Sequence, residues 1–298
     1  MHELVVISGK GGTGKTTLLA AFASLARKKV LCDADVDASD LHLIMNPRIH
    51  QRHDFKGGHT ALINQDKCTG CGICRDVCRF DAINENFKVN PLSCEGCGVC
   101  HYFCPEEAVD LPQKTCGEWY ISDTRFGPLA HARLGVAEEN SGRLVTLIRK
   151  QGKELAERMG LDLMLTDGPP GIGCPVIASL GGATAVLIVA EPSLSGLHDM
   201  ERVAQLAHGF NVPTMTCVNK FDLNPDQARA IESMAERKNV AVMGRIPFDP
   251  IFTKSMIMGR TLFEYDSQSN GALSVKSIWE KVFKSLKNHC EKNKKLPD

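Results

Sequence analysis

The chain has 298 residues, 43% of them hydrophobic, and its 35 Lys and Arg balance 35 Asp and Glu to a formal net charge of zero. That length supports one large domain or two modest ones, and neutrality supplies no global field to draw the protein to nucleic acid or an anionic membrane. The longest apolar run, ATAVLIVA at 183–190, is too short to span a bilayer, and the opening MHELVVISG lacks the features of an export signal, so a cytoplasmic protein is expected.

In chain order, ELVVIS (3–8) reads as a buried strand that runs into the glycine-rich GKGGTGKTT (9–17). Helical apolar spacing follows in TTLLAAFASLARK (16–28), then a second strand in KVLCDAD (29–35). Strand, loop, helix and strand open a parallel α/β sheet. The polar, His-rich NPRIHQRHDFKGGH (46–59) reads as a connector into a block dense in Cys and Gly. Beyond that block, EWYIS and TRFGPLAHARLGV read as strands and residues 142–159 as a return helix. Strands recur at 161–170, 184–192, 213–220 and 240–247, with helices such as HDMERVAQLAHGF (198–210) between them. In VKSIWEKVFKSLK (275–287), Val275, Ile278, Trp279, Val282, Phe283 and Leu286 share one face with lysines opposite. That face predicts a terminal helix packed on the sheet, the alternative being a helix lying on a membrane surface. The expected fold is α/β, a mostly parallel sheet with helices on both faces, formed by residues 1–59 and 116–298. A small α+β domain is expected as an insert at 60–115.

GKGGTGKTT matches G-x-x-x-x-G-K-[ST] in the required place between strand and helix. Backbone N–H groups of Gly11, Gly12, Thr13 and Gly14 can curl round phosphate oxygens, and the helix start with Lys15, Thr16 and Thr17 adds positive potential. Lys15 is expected on the β- and γ-phosphates, and the Thr16 hydroxyl on Mg²⁺. Downstream, the apolar residues of MLTDGPPGIG (164–173) lead to Asp167, a second candidate for Mg²⁺, through water. NKFD (219–222) has the N-K-x-D form that reads guanine, which leaves GTP open beside ATP.

Eight of the thirteen cysteines fall between residues 68 and 104. Cys68, Cys71, Cys74 and Cys78 form C-x₂-C-x₂-C-x₃-C, and Cys94, Cys97, Cys100 and Cys104 repeat it before Pro105. This is the pattern of two [4Fe-4S] clusters, in which the fourth cysteine of each run belongs to the other cluster. The expected sets are Cys68, Cys71, Cys74 with Cys104, and Cys94, Cys97, Cys100 with Cys78. Gly70, Gly72, Gly96 and Gly98 permit the tight turns such ligation needs. Zinc sites instead pair two C-x₂-C knuckles across a longer gap. Arg79 stands where a proline is expected after Cys78, and Cys32, Cys217 and Cys290 read as packing thiols.

With Lys10 the loop takes the form K-G-G-x-G-K-T, and the chain resembles the MinD/ParA/Mrp superfamily of P-loop ATPases with a deviant Walker A loop. Within it, the chain looks like the members that carry an inserted ferredoxin domain. The likeness covers nearly the whole length and includes EENSGRLV (138–145) and EPSLSGLHD (191–199). It implies a homodimer closed over ATP, in which Lys10 crosses to the partner's nucleotide. It also implies that Asp35 orients the attacking water, Asp33 supports the metal, and Asn219 contacts adenine beside the IPFDP loop with Pro247 and Asp249. ATP is thereby favoured over GTP, and Asp37 and Asp40 are left as solvated residues.

The nitrogenase iron protein of the wider superfamily has a cluster-ligating cysteine near the position of Cys174. A cluster bridging a dimer interface is therefore one reading of Cys174, with Cys116 a distant second ligand; a small helix-start residue is the other. Mrp-type carriers have a C-x-x-C near the C-terminal end, which this sequence lacks. The expected function is an ATPase coupling Mg-ATP to electron transfer through two [4Fe-4S] clusters, with a redox or metallocluster partner protein. An iron–sulfur or metallocluster maturation factor, or a MinD-like positioning ATPase with a redox sensor, are the alternatives.

Overall fold

A computed structural model describes residues 1–135, 138 and 141–293, with side chains up to 288. The chain divides into one compact unit of Met1–Arg52, Trp119–Arg133 and Ser141–Asp298, and a second of His53–Glu118 and Leu134–Asn140. Composition alone puts the insert at 60–115; the division falls wider because two strands extend past the cysteine-rich block on either side.

The first part of the chain forms β1 (His2–Ser8), α1 (Lys15–Leu25), β2 (Lys29–Asp33), α2 (Leu41–Met45) and β3 (Arg48–His59). The cysteine-rich part holds β4 (Leu62–Ile63), α3 (Ile73–Asp76), α4 (Val99–Tyr102) and β5 (Val109–Asp110), and is followed by β6 (Gln113–Thr124) and β7 (Gly127–Leu134). Then come α5 (Ser141–Met159), β8 (Leu163–Pro170), α6 (Cys174–Leu180), β9 (Ala185–Ala190) and α7 (Leu194–Gly209). The chain goes on through β10 (Thr214–Asn219), α8 (Pro225–Arg237), β11 (Ala241–Ile246), α9 (Ile251–Ile257), α10 (Leu262–Tyr265) and α11 (Asn270–Asn293). The large sheet runs in the order β11-β10-β9-β1-β8-β2-β7-β6-β3. Its pairs from β11 to β7 are parallel.

The core follows from β1, whose residues Leu4 to Ile7 are fully buried. Because side chains alternate along a strand, Leu4 and Val6 face one layer and Val5 and Ile7 the other. On the first face they meet α1, α2 and α11, including Phe22, Val275, Ile278, Trp279, Val282 and Leu286. On the second they meet α6, α7 and α8 through Val176, Leu180, Met200, Val203, Ile231 and Met234. The apolar face of α11 is thus spent on this core, apart from Phe283 at its rim.

One element differs from expectation. Residues 46–59 are not a connector; most of them form β3, at the edge of the sheet. Nearly all its side chains are exposed, so the alternation that signals a strand is missing, and its order comes from the neighbouring strand rather than from a buried face.

In the second unit the two halves repeat in backbone as in sequence. The short helices α3 and α4 start after Gly72 (φ 86°) and Gly98 (φ 80°), both left-handed, and β4 pairs antiparallel with β5. At Gly96 (φ +61°) a Cβ would lie 2.1 Å from the His59 carbonyl oxygen, so only glycine fits.

On β7, His131 is buried with its Nε2 2.8 Å from Ser122 Oγ and its ring stacked on Tyr120. Burial, with a smaller push from His42, lowers its pKa to about 4. Between that value and the ordinary one near 6.5 the unfolded chain binds the extra proton, so stability falls as pH drops through this window. Going from pH 7.5 to 5.5 should cost about 1 kcal/mol through this group, and His131→Asn should remove that share. Urea midpoints of both proteins at the two pH values provide the check.

Candidate nucleotide site and cysteine cavities

The loop after β1 closes tightly because Gly12 (φ 78°) and Gly14 (φ 92°) take left-handed backbone. A Cβ on Gly14 would come 2.6 Å from Asn219 Nδ2, which donates a 2.7 Å hydrogen bond to the Thr13 carbonyl. Asn219, at the end of β10, therefore braces the loop. Lys15 opens α1 and is buried, its Nζ 2.5 Å from Asp35 Oδ2. Asp33, at the end of β2, accepts from Ser39 Oγ at 2.6 Å and from the Asp35 N–H at 3.2 Å. In the adjacent strand β8, Asp167 stands in register with Asp33.

Three buried carboxylates thus face one ammonium. Burial pushes the Asp167 carboxyl up to about 6 against the pull of Lys15 and the Thr16 hydroxyl. Burial, then the neighbouring Asp167, hold Asp33 well above the usual carboxylate range. For Lys15, burial is outweighed by Asp167, Asp35 and Asp33, and its pKa rises. Both Asp167 oxygens are buried without a hydrogen-bond partner. Orphaned acceptors with surplus negative charge, beside the Thr16 hydroxyl, fit a hard divalent cation.

Lys15, Thr16 and Asp35 border a cavity of about 570 Å³, lined also by Gly11, Gly12, Gly14, Thr17, Asn219, Pro247 and Asp249; Asp33 and Asp167 are not among its lining residues. It lies at the carboxyl ends of the strands, where open α/β sheets bind ligands. Thr13 is not among the lining residues; its carbonyl takes the Asn219 bond and its buried hydroxyl has no partner. Lys10 does not line the cavity but pairs with Glu191 at 2.9 Å, whose other oxygen takes Lys220 at 2.7 Å. Lys220 also donates to the Gly12 carbonyl at 3.3 Å. Asp222 accepts from the Phe248 N–H at 2.7 Å, so the last residue of NKFD pins the 247–250 loop. Asp249 accepts from the N–H of Ile251, the first residue of α9, at 3.0 Å. Sequence reasoning missed the apolar walls, Leu43 and Ile44 from α2 and Phe252, Met256 and Ile257 from α9. No motif marks them.

In the second unit, Cys68, Cys71, Cys74 and Cys104 line one cavity, and Cys94, Cys97, Cys100 and Cys78 line another. Each draws three cysteines from one run and one from the other. The remaining lining is largely apolar, with Ile63, Phe87 and Val109 in the first and Ala61, Ile83 and Leu111 in the second. Cys74 and Cys100 are buried and Cys71 and Cys97 exposed. The Ala108 N–H points at Cys104 Sγ (3.3 Å) and the Ala61 N–H at Cys94 Sγ (3.5 Å). Among the described residues, no three His, Cys, Asp or Glu side chains converge as they would on a single metal ion.

Cys174 is exposed at the first position of α6, and Cys116 is buried with its thiol donating to the Gly57 carbonyl. Cys32 and Cys217 are fully buried packing thiols. The side chain of Cys290, together with Glu139 and Asn140 of EENSGRLV, lies outside the described residues.

A strand, a phosphate-type loop and a helix, with buried carboxylates at neighbouring strand ends of a parallel sheet, define a P-loop nucleotide-binding protein. The family model described as the CobQ/CobB/MinD/ParA nucleotide binding domain matches residues 4–262, and the chain belongs to that family as a ParA/MinD-type ATPase. It is 32% identical to MJ0578, an uncharacterised protein of Methanocaldococcus jannaschii, over 94% of this chain and 96% of the relative. The septum site-determining protein MinD of Pyrococcus horikoshii, solved with Mg-ADP, superposes with a TM-score of 0.59 at 18% identity, covering 97% of this chain and 98% of the other. A Caenorhabditis briggsae homologue of the cytosolic Fe-S cluster assembly factor NUBP1 is 20% identical over 94% of this chain and 80% of its own length. Among the described residues no helix is long and apolar enough to cross a membrane.

Proposed function

We propose that this protein couples MgATP binding and hydrolysis to electron transfer through two [4Fe-4S] clusters held in a ferredoxin-like insert. The observation that carries the reading is the gathering of eight cysteines into two thiol-lined cavities, three from one run and one from the other in each. A zinc ion draws its sulfurs to about 2.3 Å from one point, whereas a cubane takes one thiolate at each separate iron and leaves them spread. Apolar cavities that each take three cysteines from one run and one from the other suit the second case. The clusters would supply one-electron chemistry.

In the ATPase part, Thr16, Asp33 and Asp167 would hold Mg²⁺ and Lys15 the β- and γ-phosphates. The Lys15–Asp35 pair gives a reason for order in the reaction. Phosphate competes for the ammonium, and the Asp35 carboxylate so released is free to orient water. Lys10, in a deviant Walker A loop, would leave Glu191 to meet the nucleotide of a partner copy in a homodimer. ATP is the preferred nucleotide: Asn219 lines the cavity, whereas Asp222, which would read guanine, is not among its lining residues and accepts from the Phe248 N–H. The electron acceptor or donor is a redox partner protein.

Similarity to an assembly factor favours a second reading, in which the nucleotide controls delivery of a cluster to an acceptor. The two are separated anaerobically, by following cluster absorbance and EPR through MgATP turnover with an apo-acceptor protein and dithionite present. Electron transfer requires clusters that stay bound while their reduction rate or potential changes with nucleotide. Iron and sulfide moving to the acceptor in step with hydrolysis would reject it in favour of maturation.

A further inference from the structure

The turn between β6 and β7 carries Arg125, a residue that belongs to no motif. Its guanidinium donates to the Ile44 carbonyl at 2.8 Å and the Met45 carbonyl at 2.9 Å, both in the last turn of α2. It also donates to the Gly259 carbonyl, just past α9, at 3.0 Å. Glu264 grips the same fork bidentately at 2.6 and 2.8 Å and is itself held in the capping box of Thr261 at the start of α10. The neighbouring Phe126, 4.9 Å under the guanidinium, packs against the main core.

Both α2 and α9 are too short to be stable helices alone, and their last carbonyls have no partner within the helix. Leu41, Ile44 and Met45 seat α2 in the main core, and Ile251 seats the start of α9. The cavity-facing Leu43, 61% exposed, and Ile257, 80% exposed, have no such packing, so the core does not by itself set how far apart these faces stand. Met256 on α9 meets the Thr17 hydroxyl at 2.9 Å, which brings that wall against the P-loop helix. The phosphates of a nucleotide belong to the loop; its base and ribose, with their apolar faces, belong against apolar walls. One side chain therefore ties the ends of both walls to a rigid corner.

The geometry points to Arg125 as a positioning residue that fixes the spacing of α2 and α9 for the nucleoside half of the substrate. This inference rests on the nucleotide-binding reading given above, and its test uses a probe that lacks a nucleoside. Binding of MgATP and of magnesium tripolyphosphate to the full-length, cluster-loaded protein is measured by calorimetry for wild type and Arg125→Ala. The expected result is a MgATP Kd raised about tenfold or more, tripolyphosphate within about twofold, and a raised KM for ATP with kcat changed by less than about threefold.

Equal ATP affinity in the two proteins would overturn the inference, and so would a parallel loss for both probes, which marks general damage to the loop. Wild-type protein that binds neither probe rejects the nucleotide reading itself, and this inference with it. Should Arg125→Ala not be recovered folded, Arg125→Lys is read by the same pair of probes. A lysine keeps the charge but not the fork, so an intermediate loss for MgATP alone supports the inference and no loss rejects it.

Discussion

Lys15→Ala should lower ATP turnover by about 100-fold or more and leave the cluster absorbance unchanged. The loss of activity follows from removing the cation proposed to meet the β- and γ-phosphates. A second effect comes from the buried charges. Lys15 is the ammonium that Asp33, Asp35 and Asp167 all face, and it pairs directly with Asp35. Without it, three buried carboxylates repel one another with no compensation. Breaking a buried pair in this way costs about 3–5 kcal/mol.

The penalty should depend on pH with a definite sign. Asp33 and Asp167 already hold their protons more tightly than in the unfolded chain, and losing Lys15 tightens that hold. A carboxylate whose folded pKa is raised contributes its stability below the unfolded value near 4, and loses it as pH rises through the folded value. The variant should therefore gain stability relative to wild type on going from pH 7.5 to 5.5, and added Mg²⁺ should restore part of it at pH 7.5. Thermal unfolding at the two pH values, with and without Mg²⁺, reads both effects. If the cluster absorbance disappears along with turnover, the nucleotide and cysteine sites are not separable.

The parts of the molecule visible in the sequence are those where chemistry demands fixed residue types at fixed spacing. The GKGGTGKTT loop and the two cysteine runs are of this kind, and the strands at 163–170 and 185–190 were visible because burial on both faces leaves a continuous apolar run. What was hidden depends on contacts between residues far apart in the chain. Lys10 rests on Glu191, Asp222 holds the Phe248 backbone, and Arg125 joins three segments that the sequence separates by 80 or more positions. Asn219, expected at the base, lines the cavity, and its bond to the Thr13 carbonyl is a loop brace that no local pattern encodes. β3 was hidden for the opposite reason. An exposed edge strand has no buried face to write into its sequence.

The grouping of cysteines makes the second prediction, and a paired design removes the usual ambiguity of cysteine variants. Replacing Cys71 and Cys104 by Ala takes two thiols from one cavity; replacing Cys71 and Cys78 takes one from each. Cys78 and Cys104 are both partly buried fourth members of their runs, so general packing damage should be similar in the two proteins. If each cavity holds one cubane, the first variant keeps one cluster, about four irons per chain, and the second keeps neither intact. A grouping in which each run of four binds its own cluster predicts the reverse. In that case Cys71 and Cys78 share a cluster, and it is their double variant that retains half the iron. Iron and sulfide analysis of protein purified anaerobically, with EPR to confirm the surviving centre, therefore decides between two arrangements of the same eight residues. Equal iron in both variants excludes both arrangements, and with them the idea that these cavities are where the metal sits.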